Sequence, residues 1–111
     1  MTPTLHTERL TLRPYLRDDF DTYAAFMASD RAVHMDGPLS RDKAWAWFTN
    51  DVATWAFNGF GTLAIEMDGK LAGGAGLVHP PHFPEPECGW FIYDGFTGLG
   101  LAAEAGRAII D

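Results

Sequence analysis

The chain has 111 residues, enough for one domain with a single core, and 47% of them are hydrophobic, which argues against a disordered protein. Acidic side chains outnumber basic ones by 15 to 8, and the net charge of −7 disfavours nucleic acid and anionic membranes as partners. This charge suits a cationic partner such as an amine. The single cysteine, Cys88, cannot form an internal disulfide, and neither a signal peptide nor a membrane-spanning run is apparent. We therefore expect a single-domain protein of the cytoplasm.

The first part of the chain predicts a strand and a helix. Residues 9–14 alternate apolar and polar side chains and end in proline, which is typical of a short strand. Residues 18–29 place apolar side chains at spacings of three and four, as on one face of a helix. We interpret the acids Asp18, Asp19 and Asp21 as solvated partners of the helix dipole rather than catalytic groups.

A second helix is predicted from Ser40, a suitable N-cap, to about Phe57. Its predicted apolar stripe consists of Trp45, Phe48, Val52, Trp55 and Ala56. Trp47 lies beside that stripe, where it could line a substrate cleft, although packing against a neighbouring element is the commoner role.

A β-hairpin is the clearest local prediction. Two apolar runs, 61–67 and 70–79, flank Asp68-Gly69, a dipeptide that favours a two-residue hairpin turn. Glycines 73, 74 and 76 in the second run indicate a bulge or a close backbone approach. The proline-rich loop that follows carries His79 and His82, which are too few ligands for a metal site, so we predict no metal.

The stretch from Cys88 to Asp111 predicts a strand at 88–93, a turn at 94–98 and a helix that begins near Gly98 or Leu99. A helix that begins in glycines exposes backbone N–H groups at its positive end, which suits a phosphate or diphosphate. The element order β-α-α-β-β-β-α predicts an α+β or mixed-sheet α/β fold.

This order, with four sequence motifs, resembles the N-terminal two-thirds of a GNAT-superfamily N-acetyltransferase of the ribosomal-protein-alanine acetyltransferase-like branch. The motifs are residues 7–14, 18–21, 87–90 and 98–105, and the last is similar to the superfamily's acetyl-CoA motif, Arg/Gln-x-x-Gly-x-Gly/Ala. The resemblance implies a mostly antiparallel sheet flanked by helices and incomplete at its C-terminus.

The resemblance also implies a reaction and a site. An acetyl group would pass from acetyl-CoA directly to a primary amine, either a protein N-terminus or a small amine, with Glu87 as the base and a backbone N–H of the same strand stabilising the oxyanion. The implied cofactor-binding residues are Phe91, Ile92 and Tyr93, whose main chain would pair with the pantetheine, and Thr97, Gly98, Leu99, Gly100, Leu101 and Ala102, whose N–H groups would hold the diphosphate.

Two departures from the family pattern lead to further expectations. Thr97 stands where the family has Arg or Gln, and Leu99 and Leu101 occupy positions that are often basic or aromatic, so we expect weak cofactor binding. The sequence also ends at Asp111, where the family continues with further strands. We expect a truncated chain, a differently closed fold, or a homodimer or other partner that completes the sheet.

Three alternatives remain open. Residues 98–103 also fit the dinucleotide fingerprint G-x-G-x-x-G/A, which normally lies near the start of a domain. The chain could instead be a non-catalytic CoA-binding or dimerising module. Cys88 could act as a nucleophile, although no neighbouring base in the sequence would activate it.

Overall fold

A computed structural model describes residues 2–31, 38–78 and 87–110, which form a five-stranded sheet flanked by helices. Every strand is antiparallel to the next, and the order in the sheet is the order in the chain. The strands are β1 (Leu5–His6), β2 (Leu10–Arg13), β3 (Thr62–Met67), β4 (Lys70–Val78) and β5 (Glu87–Ile92). The helices are α1 (Phe20–Met27), which follows a 3-10 turn at Arg17–Asp19, α2 (Arg41–Asn58) and α3 (Leu101–Ile110). The predicted mixed α/β class and element order are confirmed, with β1 as an additional short strand.

Apolar side chains form two buried clusters. The first cluster joins α1 and α2 to β5 through a group of aromatic rings: Phe20, Tyr23, Phe48, Phe91 and Tyr93. The second joins α3 to β2, β3 and β4 through smaller aliphatic side chains: Leu10, Leu12, Leu63, Ile65, Ala72, Ala75, Leu101 and Ala105. Because side chains alternate between the faces of a strand, the two clusters lie on opposite faces of the sheet, which is therefore the middle of three layers.

Local signals in α2 and in the hairpin are confirmed. The Ser40 hydroxyl oxygen accepts the N–H of Lys43 at 3.3 Å, as an N-cap does. Asp68 and Gly69 have φ angles of 54° and 76°, the positive pair that a type I′ turn requires. The predicted close approach in β4 lies at Gly73 and at Gly76, where a Cβ atom would stand 2.1 Å from the carbonyl oxygens of Phe91 and Gly61, respectively.

The buried face of α2 differs from the prediction. Val52 is 48% exposed, whereas Ala44 and Phe48 are buried, and Asp51 and Trp55 are half-buried on the same side of the helix. These four positions follow the 3.6-residue period. The carboxylate of Asp51 interrupts their apolar pattern, which is why the neighbouring stripe looked like the buried one.

Asp19 also has an unexpected role, because only 8% of it is exposed. Its two carboxylate oxygens accept Nη1 and Nη2 of Arg13 at 2.8 and 3.0 Å, and Nε of Arg13 donates to Glu66 at 2.6 Å. These contacts raise the pKa of Arg13 above its usual value, chiefly through Asp19. Asp19 thus fastens the start of α1 to β2 and β3, rather than being solvated at the helix end.

Candidate functional site

The turn between β5 and α3 is shaped by two glycines with left-handed φ angles, 80° at Gly98 and 76° at Gly100. Such angles are not helical, so α3 begins at Leu101 and not, as predicted, at Gly98 or Leu99. The carbonyl of Gly100 accepts the N–H of Glu104 at 3.2 Å, which makes Gly100 the residue that starts the helix. The glycines therefore form the approach to the helix, and the amides of its first turn follow them.

An open pocket of about 330 Å³ lies between this turn, β5 and the end of α1. It is lined by seven of the predicted cofactor residues: Phe91, Ile92, Thr97, Gly98, Gly100, Leu101 and Ala102. Four other residues, which the sequence motifs do not mark as ligand-binding, also line the pocket: Phe26, Arg31, Trp90 and Phe96. The structure thus brings most of the predicted set to one place, with an aromatic and apolar wall beside a polar turn.

The backbone of β5 offers hydrogen-bonding groups toward this pocket, because in the described part of the chain β5 pairs with β4 on one side and ends the sheet on the other. The N–H of Tyr93 donates to Ala72 of β4 at 2.8 Å, and its carbonyl accepts an N–H from the following turn at 3.2 Å. Bonding alternates along an antiparallel pair, so the groups that point to the open edge are those of Trp90 and Ile92. The main chain of Phe91 and the N–H of Tyr93 thus point to β4, and the main chain of Ile92 points to the open edge. The pairing of these three residues with the pantetheine stays a prediction.

The side chains of the predicted motif have different environments. Leu101 is 2% exposed and packs in the cluster beneath α3, so it can offer only its backbone to a ligand. Leu99 is 43% exposed and Tyr93 is 7% exposed, and neither is among the residues that line the pocket. The hydrophobic residue at position 101 is thus explained by packing rather than by the ligand.

Glu104 fixes the first turn of α3 to the segment before β2. Its carboxylate accepts the hydroxyl of Thr7, the backbone N–H of Arg9 at 3.0 Å and Nε of Arg9 at 2.7 Å. These donors, the Thr7 hydroxyl first and the Arg9 N–H next, lower the pKa of Glu104 to about 2. The sequence marks Glu104 as a first-turn acid, but not its partners, because they lie more than 90 positions away.

A second polar group lies between α1, α2 and the end of β2. The Tyr15 hydroxyl donates to Asp51 at 3.1 Å, and burial raises the pKa of Asp51 to about 7. The hydroxyl of Tyr23 is buried and has no hydrogen-bond partner among the described residues. Burial also raises the pKa of Tyr15, Tyr23 and Tyr93 above the usual range. The group therefore contains an acid that is partly protonated near neutral pH.

Several other sequence expectations concern β5 and its surroundings. Glu87 is the first residue of β5 and lies opposite Val78 in the sheet; its role as a base stays a prediction. Cys88 is a free, half-buried thiol.

His79 and His82 lie outside the described residues. Within the described residues, no cluster of three or more His, Cys, Asp or Glu could hold a metal ion. None of the helices in the described ranges has both the length and the apolar character needed to cross a membrane.

Comparison with known proteins places this architecture in a family. The model of the acetyltransferase (GNAT) domain matches residues 9–111. An acetyltransferase from Agrobacterium tumefaciens is 47% identical and superimposes with a TM-score of 0.93 over 98% of this chain and 65% of its own. A putative GNAT-family acetyltransferase from Bordetella pertussis is 29% identical, with a TM-score of 0.80 over 96% of this chain and 70% of its own. The ribosomal alpha-N-protein acetyltransferase RimL, in a complex with coenzyme A, shares the fold at 14% identity, with a TM-score of 0.71 over 92% of this chain and 62% of its own.

The chain therefore belongs to the GNAT acetyltransferase domain family. It covers 65% of the Agrobacterium chain, so it corresponds to about two-thirds of that relative's length. Members of the family bind CoA or acetyl-CoA, as in the RimL complex with coenzyme A.

Proposed function

We propose that this chain takes part in transferring an acetyl group from acetyl-CoA to a primary amine. The observation that carries the proposal is the pocket that joins the open edge of β5 to the glycine turn before α3, in a chain of the GNAT family. One end of the pocket presents amides at the positive end of a helix, and the other presents the edge of β5 that pairs with no strand among the described residues.

Different groups of the chain would bind the cofactor and act on the acceptor. The N–H groups from Gly98 to Ala102 would hold the diphosphate, and the outward-facing main chain of Trp90 and Ile92 would pair with the pantetheine. Acetyl-CoA supplies the thioester. Glu87 would first take a proton from the ammonium, so that the free amine can attack the acetyl carbon while an outward N–H of β5 stabilises the oxyanion. The carbon–sulfur bond then breaks, and the CoA thiolate that leaves takes up the second proton lost by the nitrogen, which gives the amide and free CoA.

The acceptor we propose is a protein N-terminus or a small amine. The net charge of −7 favours a cationic group at the surface, and the fold is shared with RimL, whose name describes an alpha-N-protein acetyltransferase. An assay of thiol release from acetyl-CoA with a panel of N-terminal peptides and small amines tests this. Turnover with none of them would refute an acyl-transfer function, whereas turnover with one class identifies the acceptor.

Glu87→Gln tests the role of the base. We expect kcat to fall about 100-fold or more while the Kd of CoA changes less than twofold, because the carboxylate acts on the acceptor and not on the donor. Glu8→Gln, which neutralises an exposed acid before β2, is the control for the change in net charge and should leave both constants unchanged. Unchanged kcat in Glu87→Gln would remove this residue from the mechanism.

A second candidate function is a non-catalytic CoA-binding or dimerising module. It is favoured by Thr97, which stands where the family has Arg or Gln, and by Leu99, at a position that is often basic or aromatic. Saturable CoA binding without thiol release would select this function over catalysis.

We also propose that a homodimer or another partner completes the sheet next to β5, since an open edge can pair with a further strand. Size-exclusion chromatography with light scattering that shows a stable monomer would count against the homodimer. A cytoplasmic location is proposed with it, in keeping with the free thiol of Cys88.

A further inference from the structure

Arg31 is a cation on the wall of the pocket, and the sequence motif gave no reason to expect it there. It follows α1 in the chain and lines the pocket together with Phe26, Thr97 and Gly98. The family motif would place a basic or amide side chain at position 97, where this chain has threonine. The structure thus brings a positive charge to the turn from a segment 66 positions earlier in the sequence.

The guanidinium of Arg31 is held in position by two neighbours. Its central carbon stands 5.4 Å from the centre of the Phe26 ring, and Nη1 donates to Asp94 at 2.5 Å. The Phe26 ring in turn packs against Phe91 and Tyr93, with ring centres 5.6 and 5.4 Å apart. Because this stack fixes the cation to the end of β5, little side-chain freedom remains to be lost when an anion binds.

The contact with Asp94 does not explain Arg31 by itself. The side chain of Asp94 is 91% exposed and that of Arg31 is 39% exposed, and exposed ion pairs contribute little to stability. A guanidinium can bind two phosphate oxygens at once, and a single contact to a carboxylate leaves its other N–H donors available. Asp94 is therefore a partner that a diphosphate in the pocket could replace or share.

We propose that Arg31 binds the diphosphate of CoA and supplies the charge that Thr97 lacks. This inference rests on the proposed CoA-binding function. Asp94 then competes with the ligand, because its carboxylate holds the same guanidinium and repels phosphate. Removal of either member of the pair consequently has opposite effects on affinity, which an ion pair serving only the fold would not produce.

Calorimetric titration with CoA tests the proposal in the wild type, Arg31→Gln and Asp94→Asn. We expect Arg31→Gln to raise the Kd about tenfold or more, the effect of one charge-assisted hydrogen bond, and Asp94→Asn to lower it about two- to fivefold. The Kd of Arg31→Lys should lie between those of the wild type and Arg31→Gln, since lysine keeps the positive charge but not the paired N–H donors of the guanidinium. Shifts of equal direction in Arg31→Gln and Asp94→Asn would overturn the proposal.

The chain offers a matched control in Arg41 and Asp21. This pair has the same arrangement, with the guanidinium 4.8 Å from the centre of the Phe20 ring and a 2.5 Å contact to an exposed carboxylate, but neither residue is among those lining the pocket. Arg41→Gln and Asp21→Asn change the net charge equally and should leave the Kd within twofold. Equal effects of Arg41→Gln and Arg31→Gln would reduce the result to net charge and refute a specific contact.

Two CoA fragments locate the contact. With dephospho-CoA, which keeps the diphosphate but lacks the 3′-phosphate, we expect the tenfold effect of Arg31→Gln to persist, and with pantetheine, which has no phosphate, we expect it to vanish. Loss of the effect with dephospho-CoA would move Arg31 to the 3′-phosphate and overturn our assignment. A wild-type chain that binds no CoA would refute the proposed function itself, whereas wild-type binding with an unchanged Arg31→Gln Kd would refute the role of Arg31 alone. Thermal melts confirm that each variant is folded.

Discussion

Replacement of Glu104 by glutamine tests whether the contacts of this side chain hold α3 in place. The wild-type carboxylate accepts three hydrogen bonds, from Thr7 and from the backbone and side chain of Arg9, and only 10% of the side chain is exposed. The amide of glutamine offers one acceptor oxygen, and its NH2 group faces a donor, so at least one of the three hydrogen bonds to the carboxylate is lost. A hydrogen bond to a charged group contributes about 1.5–3 kcal/mol, and the lost charge at the helix start adds about 0.3–1 kcal/mol. We expect Glu104→Gln to lower the free energy of unfolding by about 2–3 kcal/mol at pH 7.

The assay is urea denaturation followed by fluorescence and circular dichroism, at pH values from 2 to 7. The folded pKa of Glu104, about 2, lies below the usual 4.5, so its stabilising contribution is complete above pH 4.5 and is lost as the pH falls toward 2. The difference between wild type and variant should therefore shrink below pH 4.5. Asp42→Asn, which removes an exposed acid from the first turn of α2, is the control and should cost less than about 1 kcal/mol. A Glu104→Gln effect no larger than that of the control, or one independent of pH, would refute the anchoring role.

Three further predictions concern the interior. Asp51→Asn should stabilise the protein by about 1–2 kcal/mol at pH 8 and leave its stability unchanged near pH 4. The reason is that the folded pKa of Asp51, about 7, makes the wild type lose stability as the pH rises from 4 to 7. Denaturation at both pH values measures this difference. Gly76→Ala should lower the free energy of unfolding by about 2–4 kcal/mol, since the new Cβ would meet the carbonyl of Gly61. Gly89→Ala is the control: its Cβ meets nothing within 4 Å, so the same assay should show a loss under about 1 kcal/mol. Tyr23→Phe removes a buried hydroxyl that has no partner among the described residues, so its melting temperature should equal or exceed that of the wild type, and a fall of several degrees would contradict this.

The sequence predicted those parts of the fold that depend on neighbouring residues. The Ser40 cap, the Asp68-Gly69 turn and the glycine-rich β4 each carry a local conformational requirement that the residue type reveals. The sequence predicts the start of α3 too early, because the helix formers after Gly100 do not mark the first helical residue, whereas the positive φ angles of Gly98 and Gly100 exclude both glycines from the helix.

The parts that could not be predicted depend on partners far along the chain. Asp19 was interpreted as a solvated acid, but Arg13 pairs with it, and the sequence gave no sign that Tyr15 would donate to Asp51. Arg31 likewise reaches the pocket only because α1 packs against β5 through aromatic rings. A resemblance to a family locates the glycine turn, but it does not locate a cation that enters from outside the motif.

The contact between Thr7 and Glu104 spans 97 positions. The segment before β2 must therefore meet α3 before the glycine turn is held in its final place. Closing so long a loop costs conformational entropy, and this cost is met only after the intervening strands have ordered. During synthesis the β3–β4 hairpin can form from contiguous residues, whereas the glycine turn has to wait until α3 has been made. The same connection means that damage at Thr7 or Arg9 would disturb the glycine turn, although both residues lie more than 90 positions before Glu104.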